Sequence, residues 1–326
     1  MTSATLNKRM LGKSGMEVTE IGLGLWAAGG NEWGATDDAE IINTIDASLE
    51  AGINFYDTAD VYGLGHSEEL LAQAMKGRRE QFIVASKIGW IGFDREAGST
   101  AYTTVEKLIA GVETNLQRLQ TDYIDIIQSH INFHDATMDI FLEGFQKLQA
   151  AGKVRAYGVS TIDFEYLKEF NADGHCATLQ VDYSILNRIA EGDVLPYCQA
   201  NNIGVIVRGA LAMGILTGKF DKDTRFGEGD FRKRWHENAD EYQVFLDDLA
   251  KVEQLKPLAQ GRTLAQLALQ FTLAHPAVTT VIPGAKNIRQ LNDNVQAGLL
   301  PPLSADELAQ INAIVPIAGG RLIWPA

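Results

Sequence analysis

The sequence predicts an α/β fold, namely a (β/α)8 TIM barrel with an N-terminal β-hairpin and extra helices. Short apolar runs alternate with amphipathic segments between Glu17 and Val281, which is the pattern of repeated βα units and a parallel sheet. Eight such runs occur, and eight strands suit a closed barrel. The 326 residues also suit one barrel of about 250 residues with insertions. We therefore expect one domain over residues 1–326.

The strands and helices follow from periodicity and from residues that end elements. The predicted strands are 21–25, 54–57, 82–87, 124–129, 157–160, 178–182, 204–207 and 278–282. Apolar residues share one helical face over 105–119 and again over 138–148. The Thr103 to Glu106 segment matches a capping box, and Gly52 and Gly152 stand where helices would stop.

Three segments fall outside the βα repeat. Residues 6–12 and 16–19 predict a hairpin that could plug the barrel floor. Residues from Ser304 open a last helix that ends before Pro316, and the polar stretch 221–238 predicts a large mobile insertion.

Composition excludes several classes of function. The 28 basic and 42 acidic side chains give a net charge of −14, which argues against nucleic acid or an anionic membrane as partner. The N-terminus lacks a signal-peptide core and no apolar run is long enough to span a bilayer, so we expect the cytoplasm. Cys176 and Cys198 have no CxxC spacing, and His130 and His134 lack a partner set, so no metal site is predicted.

Four residues suggest a catalytic site for proton transfer to a carbonyl. Asp57, Lys87 and His130 each occupy the end of a predicted strand, and Tyr62 follows in a loop. In a parallel barrel these ends meet at one mouth. A tyrosine, with a pKa of about 10, is available as an acid at neutral pH, and a nearby ammonium favours its ionised form.

These motifs resemble the aldo-keto reductases, over about Arg9 to about Leu300. The likeness is closest to the branch that includes bacterial general stress reductases and potassium-channel β subunits. The resemblance implies reduction of an aldehyde or ketone, with hydride from NADP(H), or from NAD(H), and a proton from Tyr62. Lys87 would tune Tyr62, Asp57 would hold Lys87, and His130 would bind the substrate oxygen.

The resemblance also implies where the cofactor binds. Ser160, Thr161 and Gln180 match the positions that hold the nicotinamide carboxamide. Arg208, Gly209, Leu211, Gly214 and Lys219 match the loop that covers the pyrophosphate, with the amides of Leu211 and Gly214 and the ammonium of Lys219 as phosphate partners. Gly284, Lys286, Gln290 and Asn294 match the segment for the 2′-phosphate and adenine. The guanidinium of Arg208 would stack on the nicotinamide and favour the reduced form.

A second dinucleotide motif is interpreted as accidental. Residues 22–27 match GxGxxA, but a working Rossmann turn needs the helix to begin at the glycines, and here a helix can start only at Thr36. We interpret this segment as a loop on the substrate side.

Several aromatic residues are predicted near the mouth, with Trp26 and Trp90 as candidates for substrate binding. The others are Trp33, Phe93, Phe133 and Trp235. The substrate would be a small carbonyl compound or a sugar, and residues 321–326 could cover the pocket or contact another subunit. Oligomeric state is left open.

Three other functions remain open from the sequence. A channel-β-like module would hold the cofactor as a redox sensor, and a sugar or polyol dehydrogenase would work with NAD in the oxidative direction. An unrelated barrel isomerase stays open because a fold does not fix chemistry. No tyrosine is followed four positions later by lysine, and no GxSxG or P-loop occurs, which disfavours a short-chain dehydrogenase, an α/β-hydrolase and a P-loop enzyme.

Overall fold

Eight parallel strands organise the molecule, in a computed structural model that describes residues 5–30, 32–92, 100–130 and 137–321. In chain order these strands are β3 Leu23–Gly24, β4 Phe55–Asp57, β5 Ile83–Ile88, β6 Ile124–His130, β7 Val154–Ser160, β8 Thr178–Asp182, β9 Gly204–Arg208 and β10 Val278–Val281. Each pairs in parallel with the next. Parallel bridges Ile21↔Val281 and Gly24↔Gly284 join the last strand to the first. The predicted (β/α)8 barrel is therefore confirmed, with strand bounds that differ from the predicted ones by at most three residues.

The predicted hairpin is also present. It consists of β1, Lys8–Met10, and β2, Glu17–Thr19, which pair antiparallel. Leu11 and Val18 pack with Phe55, Ala85 and Ile126, which belong to a separate apolar cluster inside the barrel. The hairpin thus closes the end of the barrel at which the strands begin.

Helices cover the outside of the barrel. They are α1 Asp38–Glu50, α2 His66–Met75, α3 Val105–Leu119, α4 Met138–Ala150, α5 Phe164–Phe170, α6 Val194–Ala200, α7 Ala239–Leu255, α8 Leu264–Ala274, α9 Ile288–Leu299 and α10 Ala305–Ile314. Ser304 caps α10 in a capping box with Glu307, as its sequence indicates. The first capping prediction was one residue off: Thr104, not Thr103, is the N-cap of α3, because its backbone is extended and its side chain accepts from the amide of Lys107.

The neighbouring strands β4, β5 and β6 change from apolar to polar on their inward faces at the same height. Side chains alternate with a period of two, so Phe55 is followed inward by Asp57, and Ala85 by Lys87. In the same way Ile126 is followed by Gln128. The barrel interior is therefore apolar next to the hairpin and polar at the C-terminal end of the strands.

The polar insertion packs across the mouth of the barrel. Residues 231–236 form a short 3-10 helix, and Trp33 bridges Asp230 antiparallel. The amide of Phe231 donates to the carbonyl of Glu32 at 2.9 Å. The loop after β3 and the insertion are therefore joined edge to edge.

Two further expectations concern the whole chain. No helix in the described ranges is long and apolar enough to cross a membrane. Within the same ranges, no group of three His, Cys, Asp or Glu side chains could hold a metal ion. That residues 1–326 form one domain stays a prediction.

Candidate active site

The four proposed catalytic residues lie together at the C-terminal end of the strands. Asp57 ends β4, Lys87 is the next-to-last residue of β5, and His130 ends β6. All three side chains are buried. Residues distant in sequence therefore converge because parallel strands end at one face of a barrel.

Lys87 is the centre of the site. Its Nζ atom donates to Asp57 Oδ1 at 2.7 Å, to the Thr58 carbonyl at 2.8 Å and to the Tyr62 hydroxyl at 3.0 Å. An ammonium has three hydrogens, so these contacts account for its full donor capacity. Burial acts against the charge, but Asp57 and Tyr62 outweigh it and raise the pKa of Lys87. Lys87 is therefore a fixed cation at neutral pH.

A strained loop places Tyr62 over this cation. Gly63, Leu64 and Gly65 all have positive φ angles, of 61°, 56° and 99°. A Cβ on Gly29 would lie 2.5 Å from the amide nitrogen of Gly63, so the backbones meet where neither residue has a side chain. This close approach sets the position of the loop that carries Tyr62.

The protonation states suit an acid and a neutral partner. Burial raises the pKa of Tyr62, although Lys87 lowers it. Burial, together with the charges of Lys87 and Arg208, holds the pKa of His130 well below its ordinary value. The two rings meet edge to face, with centroids 6.0 Å apart. At neutral pH the site thus presents a protonated phenol beside a neutral imidazole.

The residues predicted to hold the carboxamide border this group. His130, Ser160 and Gln180 lie in register across β6, β7 and β8. Gln180 Nε2 donates to Asp57 Oδ2 at 2.7 Å. The hydroxyl of Thr161 accepts from the amide of Asp163 at 3.0 Å, where α5 begins. Its oxygen therefore helps to start a helix, while no residue in the described ranges accepts its hydroxyl hydrogen.

The predicted pyrophosphate loop follows β9 directly. Arg208 ends this strand, close enough to lower the pKa of His130. Gly209 has φ 71°, and a Cβ there would lie 2.0 Å from Asp182 Oδ1. The amide of Gly214 donates to the carbonyl of Leu211 at 2.9 Å. In this conformation the Gly214 amide serves the turn, and phosphate binding by the Leu211 amide and the Lys219 ammonium stays a prediction.

Basic side chains gather beside this loop. Burial lowers the pKa of Lys219 and of Lys286, and the charge of Arg232 lowers both further. Arg289 adds a fourth cation near Lys219. Asp230 is the acid that opposes them, and it already forms a two-pronged ion pair with Arg232. Such a cluster suits a phosphate-bearing cofactor, whose negative charge would relieve the mutual repulsion.

The loop between β10 and α9 has an internal structure of its own. The Nζ atom of Lys286 donates to the carbonyl of Trp33. Gln290 accepts from the amide of Lys286 at 2.9 Å, and Asn294 donates to the carbonyl of Gly284 at 3.2 Å. These contacts shape the segment, and its roles toward phosphate and adenine stay predictions.

Aromatic rings wall the mouth. Trp26 stacks on Tyr62 with centroids 6.0 Å apart, and Trp90 lies 5.7 Å from His130. Trp33 meets Trp26 edge to face. Trp235 is buried inside the insertion against Phe245, and so packs the insertion rather than the mouth. Phe93, Phe133, His134 and residues 322–326 lie outside the described residues.

Sequence reasoning missed the contribution of the insertion. Phe231 also stacks on Trp26, with centroids 5.6 Å apart. Arg232 lies over the ring of Trp33 at 5.0 Å and donates to the carbonyl of Met213 at 3.1 Å. A long polar stretch carries no periodic signal that would reveal these contacts.

Residues 20–316 match the model of the family described as "Aldo/keto reductase family". The aldo-keto reductase YhdN of Bacillus subtilis is 36% identical over 285 residues, which cover 85% of this chain and 84% of that protein. The NADH-specific methylglyoxal reductase of Escherichia coli is 32% identical, over 90% of this chain and 93% of the relative. A probable voltage-gated potassium channel subunit beta of Oryza sativa is 28% identical, over 94% and 95%. These relatives include the branch that the sequence indicated.

Solved structures agree in fold. The aldo-keto reductase AKR11C1 from Bacillus halodurans in its holo form has a TM-score of 0.81 and 32% identity, over 97% of this chain and 98% of that chain. The glycerol dehydrogenase AKR11B4 from Gluconobacter oxydans has a TM-score of 0.82 and 30% identity, over 100% and 99%. An aldo/keto reductase from Klebsiella pneumoniae in complex with NADP and acetate has a TM-score of 0.71 and 30% identity, over 95% of each chain. The chain therefore belongs to the aldo/keto reductase family of oxidoreductases.

Proposed function

We propose that this protein reduces an aldehyde or ketone to an alcohol, with NADP(H) as cofactor and Tyr62 as proton donor. One observation carries the proposal: the hydrogen bond from Lys87 Nζ to the Tyr62 hydroxyl at 3.0 Å. An ammonium can only donate, so the phenol oxygen accepts and its own hydrogen is left for another acceptor. A carbonyl oxygen at the mouth would be that acceptor.

The catalytic side chains have separate roles in the proposed reaction. A bound nicotinamide supplies the hydride, since no side chain can. As negative charge develops on the substrate oxygen, Tyr62 donates its proton and neutral His130 supports the same oxygen by a hydrogen bond. Lys87 lowers the cost of the phenolate that results, and Asp57 keeps Lys87 charged and in place.

The basic cluster at the mouth supports NADP(H) over NAD(H). Lys286 and Lys219 lie where a phosphate would relieve repulsion, and the Klebsiella pneumoniae relative is a complex with NADP. The Escherichia coli relative is NADH-specific, so NAD(H) is the alternative cofactor. Cytoplasmic location and a lack of nucleic-acid partners stay expectations of the sequence.

Replacement of Tyr62 by Phe tests the proton donor. We expect kcat for carbonyl reduction to fall about 100-fold or more, while the Kd of NADPH stays within about twofold, because only the proton transfer is lost. NADPH oxidation with a panel of aldehydes, dicarbonyls and sugars measures the first, and fluorescence titration the second. Tyr102→Phe is the control, since this buried tyrosine packs edge to face against Phe141 on the outer helix α4. Wild-type turnover in Tyr62→Phe would refute the assignment.

Polyol or sugar oxidation is the second candidate. The resemblance to the glycerol dehydrogenase AKR11B4, and to an L-galactose dehydrogenase of Arabidopsis thaliana at 30% identity, favours it. The same residues would then act in reverse, with Tyr62 as base. Turnover of NAD or NADP with polyols, without turnover of NADPH with carbonyls, would establish this direction. Cofactor binding without turnover in either direction would instead indicate the redox-sensing module.

A further inference from the structure

Gln128 is a buried amide on β6 that the proposed mechanism does not use. Its Nε2 atom donates to Thr178 Oγ1 at 3.2 Å, and its Oε1 atom accepts from Gln180 Nε2 at 3.2 Å. Gln180 Nε2 also donates to Asp57 Oδ2 at 2.7 Å. These side chains form one hydrogen-bonded chain that ends at the carboxylate holding Lys87.

The chain of hydrogen-bonded side chains passes across β7 at a glycine. Gln128, Gly158 and Thr178 lie in register on β6, β7 and β8. A Cβ on Gly158 would lie 2.1 Å from the carbonyl oxygen of Thr178 and 2.3 Å from its Oγ1 atom. Because Gly158 has no side chain, Gln128 reaches β8 directly, two strands away.

The carboxylate fixes the direction of both amides. Asp57 opposite Lys87 can only accept, so Gln180 must present its NH2 group to it. The second hydrogen of this NH2 group goes to Gln128, which must therefore present its oxygen to Gln180 and its own NH2 group to Thr178. Within the described part of the chain, nothing donates to Gln180 Oε1. That oxygen is the acceptor left for a ligand.

We propose that Gln128 is a positioning residue for the cofactor, which fixes the Gln180 amide so that its oxygen is available to the NH2 of the nicotinamide carboxamide. The inference rests on the proposed function, because it places the carboxamide at Gln180. Without Gln128, Gln180 keeps only its bond to Asp57 and gains freedom to rotate. The acceptor is then no longer preorganised, and binding must order it first.

Three variants test this role: Gln128→Met, Gln180→Met and the double variant. Methionine keeps the length of the side chain without an amide. The probes are NADPH and its reduced 3-acetylpyridine analogue, which has a methyl ketone in place of the carboxamide and so lacks the NH2 donor. Tryptophan fluorescence gives both Kd values, and thermal melting verifies folding.

We expect each single variant to raise the Kd of NADPH about tenfold and that of the analogue less than about twofold. The double variant should bind NADPH no more weakly than Gln180→Met, because Gln128 acts through Gln180. Thr178→Val, which detaches only the far end of the chain, should raise the Kd of NADPH about threefold with the same selectivity.

Two results would overturn the role of Gln128 alone: an unchanged Kd for NADPH in Gln128→Met, or losses that multiply in the double variant. Equal losses for NADPH and the analogue in Thr178→Val would also overturn it, since they indicate general loosening of the site. An unchanged Kd in Gln180→Met would overturn the placement of the carboxamide itself, and so count against the proposed cofactor site as well.

Discussion

Glu68 makes the stability of this protein depend on pH in the direction opposite to that of a carboxylate whose pKa is lowered on folding. It lies on α2 with its side chain fully buried, accepts from Ser86 Oγ at 2.7 Å and lies 3.5 Å from Arg118 Nη1. Burial raises its pKa from 4.5 to about 8, with the charge of Asp60 adding to the effect. The folded protein therefore keeps a proton that the unfolded chain releases.

The sign and size of this pH dependence follow from the difference in proton binding between the folded and unfolded states. Between pH 4.5 and about pH 8 the folded state binds more protons at Glu68 than the unfolded state, so stability falls as pH rises through this range. At about 1.4 kcal/mol for each pH unit, the gap corresponds to an upper limit of about 5 kcal/mol. Asp60, whose pKa burial raises to about 7, adds a slope of the same sign.

Glu68→Gln removes one of these two contributions and keeps an acceptor for Ser86. Between pH 5 and pH 8 the free energy of unfolding should fall in both proteins. We expect this fall to be smaller in the variant than in the wild type, by about 2 kcal/mol at least. Urea unfolding at pH 5, 6.5 and 8 measures this. Glu69→Gln is the matched control. Glu69 is the neighbour of Glu68 but is exposed, so its replacement should change the stability by less than about 0.5 kcal/mol. Equal pH slopes in Glu68→Gln and wild type would refute the reasoning.

Three further predictions concern the cofactor and the loop of Tyr62. Lys286→Ala should raise the Kd of NADPH about tenfold or more and that of NADH less than about threefold, because only NADPH has the 2′-phosphate. The control is Lys222→Ala, at an exposed lysine. If titrations show an unchanged preference for NADPH over NADH, the 2′-phosphate binds elsewhere. Arg208→Ala should weaken the binding of NADPH more than that of NADP, since a fixed cation disfavours the positively charged oxidised ring. Equal losses of affinity for the two forms in titrations would contradict this. Leu64→Asn should stabilise by about 0.5 kcal/mol in urea unfolding, because Leu64 has φ 56° and is 63% exposed, while asparagine tolerates that conformation; a loss of stability would show that Leu64 packs productively.

The barrel was readable from the sequence because its signals are local. Strand and helix periods, caps such as Ser304 and the spacing of eight apolar runs each depend on neighbours a few residues apart. The same locality explains the misplaced cap at Thr103: the capping-box pattern with Glu106 favours this residue, but the extended backbone and the side-chain bond to the Lys107 amide make its neighbour Thr104 the N-cap. The catalytic candidates Asp57, Lys87 and His130 were also identifiable, because each is a polar residue at or next to the end of a strand.

The tertiary structure decided the contacts between elements that lie far apart in the sequence. The amide of Gln180 meets Asp57 across 123 positions, and Gln128 reaches it only because Gly158 leaves room between their strands. Phe231 covers Trp26 because an insertion with no periodic pattern folds back over the mouth. By itself, the sequence determined the barrel and the chemical groups at its strand ends, since a strand's period and its last residue are local properties. Their hydrogen-bond directions, and the closing of the mouth, depend on strand register and loop packing, which no single segment encodes.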